Sequence, residues 1–317
     1  MNEKKQGVNM VLGSLFAGVG GIELGFKKAG FDCVWAVEID QKACETYKAN
    51  HQNIIINKDI NDVKLNTLAS IDILTAGFPC QAFSVAGYRK GFNDERGNVF
   101  FGILRYLEYF KPKVVFLENV KNLKTHDKGK TLKVILQELQ KLGYFVKYEI
   151  LNTAKHGNIP QNRERIYMIG FLDFNAYEGF NFPNEVKLTK NIQDLLDEKT
   201  SEEFYYINTK YYDILKENMK NKNTLYQWRR HYVRENKSNL CPTLTANMGT
   251  GGHNVPLVID GRDIRKLTPR ECARFQGFPD SFNLPDTLSN ASLYKQIGNS
   301  VSVSVIKAIA KKIKEVL

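Results

Sequence analysis

From Val11 to Phe171 short apolar runs alternate with helix-patterned segments, and this rhythm constrains the fold more than any other feature of the chain. The apolar runs Val11–Phe16, Cys33–Val37, Ile71–Ala76, Val114–Leu117, Val146–Leu151 and Ile166–Phe171 read as buried strands. Gly21–Ala29, Gln41–Ala49, Val99–Phe110 and Thr131–Leu142 carry helical spacing between them, in the last at Leu132, Ile135, Leu136 and Leu139. Strand and helix in alternation predict an α/β domain built on a largely parallel sheet. After Phe171 the rhythm stops. Residues 186–285 are polar, aromatic and basic and are predicted to form a second, smaller domain with its hinge. Residues 1–185 and 286–317 are assigned to the first domain. The last seventeen residues return to it as a helix, with Val301, Val305, Ile309, Ile313 and Val316 on one stripe and Lys307, Lys311 and Lys314 off it.

Charge narrows the class of partner. Lys and Arg number 45 against 34 Asp and Glu, a net charge of +11, which favours a polyanion. Between Phe204 and Leu240 eight Lys/Arg stand against three Asp/Glu, interleaved with Tyr205, Tyr206, Tyr211, Tyr212, Tyr226, Trp228 and Tyr232. That composition reads as a binding surface rather than a core. The five cysteines, Cys33, Cys44, Cys80, Cys241 and Cys272, are odd in number and far apart, with no CxxC pair. This argues against a zinc site or disulfide framework and suits a reducing cytosol, so no metal is expected and the location is read as cytoplasmic. No apolar run reaches the roughly 18 residues of a membrane span, and the N-terminus does not read as a secretory signal.

Two constellations carry chemistry. Gly18, Gly20 and Gly21 follow the first strand and open a helix, where glycine lets backbone approach a cofactor. Glu38 ends the second strand and is placed to accept the hydroxyl hydrogens of a ribose, and Asp59 is a candidate for an adenine amino group. NAD, FAD and S-adenosylmethionine sites share this pattern. The third glycine of a dinucleotide fingerprint would fall at position 23, which is Glu23, so the pyrophosphate-type motif is incomplete. The second constellation is Gly77-Phe78-Pro79-Cys80-Gln81 at the end of a strand, joined by Glu118 at the end of Val114–Leu117 and by Arg163 and Arg165 ahead of Ile166–Phe171. A lone cysteine is usually a small buried hydrophobe. A thiol, a carboxylate and two guanidiniums at strand ends suit addition of a thiolate to C6 of cytosine, which turns C5 into a nucleophile. Cys80 is the candidate nucleophile and Glu118 the group at N3 and the exocyclic amine. Arg163 or Arg165 would orient the base and its phosphate. A paired base is out of reach of such a pocket, so it must flip out.

FAGVGG, VEID, GFPCQAFSVAG, PKVVFLENV, IPQNRERIYMIGF, RKLTPRECARFQGFPDSF and YKQIGNSV occur in this order. With these blocks the chain resembles the bacterial cytosine-5 DNA methyltransferases of restriction-modification systems. The resemblance implies a Rossmann-like S-adenosylmethionine-dependent methyltransferase domain and a smaller, mostly irregular or β target-recognition domain. It implies S-adenosyl-L-methionine as methyl donor, held by Phe16, Gly18, Gly20, Gly21, Glu38, Ile39, Asp59, Ile60, Pro79, Asn299, Ser300 and Val301. Cys80, Glu118, Arg163 and Arg165 match the catalytic set. Double-stranded DNA is the implied partner, met by Arg96 in a closing loop, Arg229, Arg230, Thr243, Thr245, His253 and Asn254. A monomer is expected, with a separately acting cognate endonuclease as a possible companion. One departure stands out: the small hydroxyl residue that fills the gap left by the flipped base is Ala86 here. A silent DNA-binding relative is disfavoured because every catalytic residue type is intact. A tRNA cytosine-5 methyltransferase of similar fold lacks a long recognition domain, whereas residues 185–262 provide one. A nicotinamide dehydrogenase is disfavoured by Glu23 and Cys80.

Overall fold

The computed structural model describes residues 10–79, 99–229, 232–236, 238–250 and 254–317. Cys80, Ala86, Arg96, Arg230 and His253 lie outside the described residues.

Seven strands form the main sheet: β1 Val11–Leu15, β2 Asp32–Glu38, β3 Ile54–Asn57, β4 Ile73–Gly77, β5 Val114–Val120, β6 Phe145–Asn152 and β7 Glu164–Phe171. Their order is β3-β2-β1-β4-β5-β7-β6. β3 through β5 run parallel, while β7 is antiparallel to both β5 and β6. The order reverses between β1 and β4, whose carboxyl ends therefore flank the crevice where such sheets bind ligands. The expected strands are all present. β3 was not among them, because its Ile-rich run is only four residues long and Ile54, at the sheet edge, is 69% exposed.

Each face of the sheet has its own core. On one, Leu15, Trp35, Leu74 and Leu117 pack under α3 (Val99–Phe110) and α4 (Lys130–Lys141) through Phe100, Ile103, Leu107, Leu132, Ile135 and Leu139. On the other, Leu12, Ile73 and Phe116 meet Ile22 and Phe26 of α1 (Gly21–Lys27) and Val305, Ile306, Ile309 and Ile313. Those last four belong to the C-terminal helix Val303–Val316, which packs back on the first half of the chain along the expected stripe.

Beyond residue 185 a four-stranded antiparallel sheet forms from β8 Tyr226–Arg229, β9 Tyr232–Glu235, β10 Leu257–Ile259 and β11 Ile264–Lys266, in the order β11-β10-β8-β9. Cross-strand partners share a face. Trp228 and Val233 face inward with Leu215, Leu257 and Ile264, which leaves the Gln227–Arg234 and Arg229–Tyr232 pairs on the other side. Arg229, Tyr232 and Arg234 are exposed there. Behind this sheet the fully buried Arg265 donates through both terminal nitrogens to Glu271, at 2.8 and 2.7 Å. Glu271 also completes a capping box with Thr268 at the start of helix Pro269–Phe275. A third core cluster joins the two halves: Val19 and Ile159 pack with Leu244, Met248, Phe275, Ile297 and Val303.

Candidate active site

A cavity of about 560 Å³ opens at the carboxyl ends of β1, β2, β4 and β5, within the size range of small-molecule sites. One wall is the turn after β1. Phe16, Gly18 and Gly20 all have positive φ, at 54°, 56° and 87°. Gly18 N–H donates to Glu38 Oε2 and Asp40 N–H to Glu38 Oε1, both at 2.8 Å. Each carboxylate oxygen keeps a second lone pair for a ligand hydroxyl. Asp40 then caps α2 (Gln41–Lys48) by accepting from the backbone of Lys42 and Ala43. It also pairs with Lys295 at 3.0 Å, linking the β2 end to helix Asn290–Asn299.

The two glycines of this turn serve different ends. A Cβ on Gly18 would meet nothing within 4 Å, so the space beside it belongs to the cavity; a Cβ on Gly20 would stand 2.0 Å from His51 Nε2. Gly20→Ala is therefore expected to destabilise the fold by about 3 kcal/mol, from positive-φ strain plus overpacking. Gly18→Ala should cost about 1 kcal/mol of stability and act mainly on ligand affinity. Paired thermal melts and ligand titrations check this; equal destabilisation by the two substitutions would contradict it.

The second wall brings the catalytic candidates together. Glu118 lies near the end of β5 beside Gly77 of β4, and Asn119 Nδ2 donates to Phe78 O at 2.9 Å. Arg165, opposite Val120 on β7, sets its Nε 3.3 Å from Glu118 Oε1, off a good hydrogen-bonding direction. Arg163 is 2% exposed. It donates to Leu244 O at 2.8 Å and to Ser300 O, so one side chain ties together three distant stretches of chain. Burial pushes the Glu118 carboxyl above its ordinary range, and Arg165 and then Arg163 pull it partly back. Burial and the neighbouring Arg165 push Arg163 down to about 9, which leaves it a cation at neutral pH. Glu118 Oε1 and Arg163 Nε are buried without hydrogen-bond partners among the described residues. Unmet capacity of this kind marks a place for a ligand.

The cavity gathers Phe16, Gly18, Gly21, Glu38, Ile39, Pro79, Glu118, Arg163, Arg165, Thr245, Asn299, Ser300 and Val301 from the expected set. Gly20, Asp59 and Ile60 do not line it. Asp59 spends a carboxylate oxygen on Asn61, at 2.8 Å to its backbone and 3.0 Å to its side chain. The Ile60 side chain is buried in the core under α3, its carbonyl taken by Tyr106 at 2.8 Å. Thr243 does not line the cavity either, its hydroxyl donating to Asn162 O at 2.7 Å, and Arg229 stands apart on β8. Asn254 donates to Thr250 Oγ1 at 3.2 Å, also away from the cavity. The sequence reading missed Ile22, Asp40, Phe78, Asn119, Asn247, Lys295 and Gln296 as lining residues. Asp40 carried a signal, an N-cap residue two places after Glu38. Lys295 and Gln296 stood in the YKQIGNSV block beside the three residues assigned to the cofactor, and that adjacency was their signal.

A family model described as C-5 cytosine-specific DNA methylase matches residues 10–315. The chain is 56% identical over 308 residues to the Type II methyltransferase M.Bsp6I of Bacillus sp. (strain RFL6), covering 95% of this chain and 98% of that one. It is 44% identical over 305 residues to the Type II methyltransferase M.NlaX of Neisseria lactamica, covering 96% of each. Among solved structures the S. pombe Dnmt2 methyltransferase superposes with a TM-score of 0.76 at 21% identity, over 96% of this chain and 98% of that one.

Proposed function

The chain belongs to the C-5 cytosine-specific DNA methylases, and from that premise we propose how its own residues carry out methylation of cytosine carbon 5 in double-stranded DNA. The activity is that of a Type II methyltransferase of a restriction-modification system. The observation that carries the proposal is the meeting of Glu118, Arg163 and Arg165 with the glycine turn and Glu38 in one cavity.

The family's methyl donor is S-adenosyl-L-methionine, which when bound supplies an electrophilic methyl carbon on a positively charged sulfur. The residues fit it: Gly18 leaves open space, Glu38 offers lone pairs to the ribose, and Asn299 and Ser300 close the far side. For the base, Cys80 adds as thiolate to C6 while Glu118 gives a proton to N3, which moves electron density onto C5. Once C5 carries the methyl group, its hydrogen leaves as a proton, the C6–sulfur bond breaks to return the thiolate, and N3 gives its proton back to Glu118, which restores the acid. Arg165 fixes the Glu118 carboxyl and Arg163 holds Leu244 and Ser300 in place around the flipped base. No group of three potential metal ligands occurs among the described residues. The reading has the enzyme acting in the cytoplasm as a monomer, with any cognate endonuclease separate. No described helix is long and apolar enough to cross a membrane.

Residues 186–285 serve as the target-recognition domain in this reading. Arg229, Tyr232 and Arg234 on the outer face of the β8–β9 hairpin supply phosphate contacts, and the segment from Thr243 to Asn254 reads bases. Arg229→Ala is expected to weaken binding to all duplexes alike and to flatten the slope of log K against log salt by about 0.9. Asn254→Ala should instead shift which cytosines are methylated. Bisulfite sequencing of a random-sequence plasmid pool methylated by each variant tests both. A methylated motif that ignores every change from Thr243 to Asn254, yet moves with changes before Phe171, would refute the assignment.

A further inference from the structure

Glu23, which stands where a dinucleotide fingerprint has its third glycine, has no part in the mechanism above. It lies on α1 directly after Gly21 and Ile22, two residues that line the donor cavity. The side chain is 1% exposed, and neither carboxylate oxygen makes a well-aligned hydrogen bond among the described residues. Burial without a counter-ion pushes a carboxyl toward the neutral acid.

Its surroundings pull in both directions. From β1 the Ser14 hydroxyl faces it, already accepting from Thr75 Oγ1 of β4 at 2.9 Å and so free to donate its own hydrogen. From β2 come Cys33 and Glu38, and from α2 comes Tyr47. Burial keeps the Cys33 thiol and Tyr47 phenol protonated, so the charge that faces Glu23 is another carboxylate, Glu38. Lys27, one turn further along α1, is exposed. His51 is neutral, pushed down to about 4 by burial and then by Lys27. Burial first, and Glu38 in addition, push Glu23 up to about 7, with Ser14 opposing.

Such a group sits at the edge of ionisation, and the charge that tips it is whatever occupies the cavity beside Glu38. The methyl donor carries a sulfonium; the product left after transfer has a neutral sulfur. We propose that Glu23 is a positioning residue of the donor site that releases its proton to the buffer when the cationic donor binds and recovers it when the uncharged-sulfur product remains. In this way the fold favours donor over product through a charge present only when needed. The inference rests on the reading that the cavity holds S-adenosyl-L-methionine.

The sign follows from linkage. The folded-state value lies above the ordinary 4.5, so the stability owed to protonated Glu23 is full below 4.5 and lost as pH rises through about 7. A cation that lowers the value by one unit would release about 0.4 proton at pH 7 and tighten donor binding about fivefold from pH 6 to pH 8.

Isothermal titration calorimetry of the full chain, in buffers of different ionisation enthalpy, reads this proton directly. S-adenosyl-L-methionine should release about 0.4 proton more than S-adenosyl-L-homocysteine at pH 7. Glu23→Gln should abolish the difference, as should Glu23→Leu if the amide folds poorly. Equal proton release by donor and product in the wild type, or a difference that survives both substitutions, would overturn the proposal. A donor that fails to bind at all would remove the cavity assignment itself and this inference with it.

Discussion

Cys80→Ala is expected to lower methyl transfer from labelled donor to duplex DNA by at least about 10⁴-fold, while duplex binding stays within a few-fold of wild type. Cytosine C5 is a poor nucleophile until something adds at C6, and no other group in this account supplies that addition. The described chain runs to Pro79, which lines the cavity together with Phe78 at the end of β4. An alanine variant that keeps a tenth of wild-type transfer would require another nucleophile.

Glu118→Gln should lower turnover by about 10²–10⁴-fold with little change in duplex binding, because the amide keeps the shape and loses the acid. The pH dependence is more specific. The carboxyl is pushed above its ordinary range by burial, so its proton-donating form persists to higher pH than an exposed glutamate's and is lost as pH rises through the raised value. The wild-type kcat profile should carry a descending limb from this loss, and Glu118→Gln should lack it. Turnover unchanged by the substitution, or an identical limb in the variant, would take Glu118 out of the mechanism.

How far the sequence announced all this depended on where each residue's partners lie. β1, β4 and β5 are covered on both faces by α1 and the C-terminal helix on one side and α3 and α4 on the other, so they read as unbroken apolar runs. β3 escaped because an edge strand of four residues has too few contacts to leave a pattern. Glu118 was legible from its place at a strand end. The division of labour between the two arginines was not. Arg163 reaches carbonyls 81 and 137 residues away, whereas Arg165 turns to Glu118, and no local pattern encodes either choice. Asp59 and Ile60, expected at the cofactor, stand outside the cavity lining, where Asn61 bonds one Asp59 oxygen and Tyr106 the Ile60 carbonyl, contacts that no local pattern announces. Arg265 and Glu271 both stand in the RKLTPRECARFQGFPDSF block, but nothing in that block announced their fully buried pairing.

The covalent step is the center of the account, and duplex DNA carrying 5-fluorocytosine in the methylated motif tests it most directly. Fluorine at C5 leaves no proton to remove after methylation, so the C6–sulfur bond persists. With S-adenosyl-L-methionine present, the wild-type chain should form a denaturation-resistant complex whose peptide map places the adduct on Cys80. No adduct, or an adduct that forms equally well with Cys80→Ala, would contradict the mechanism.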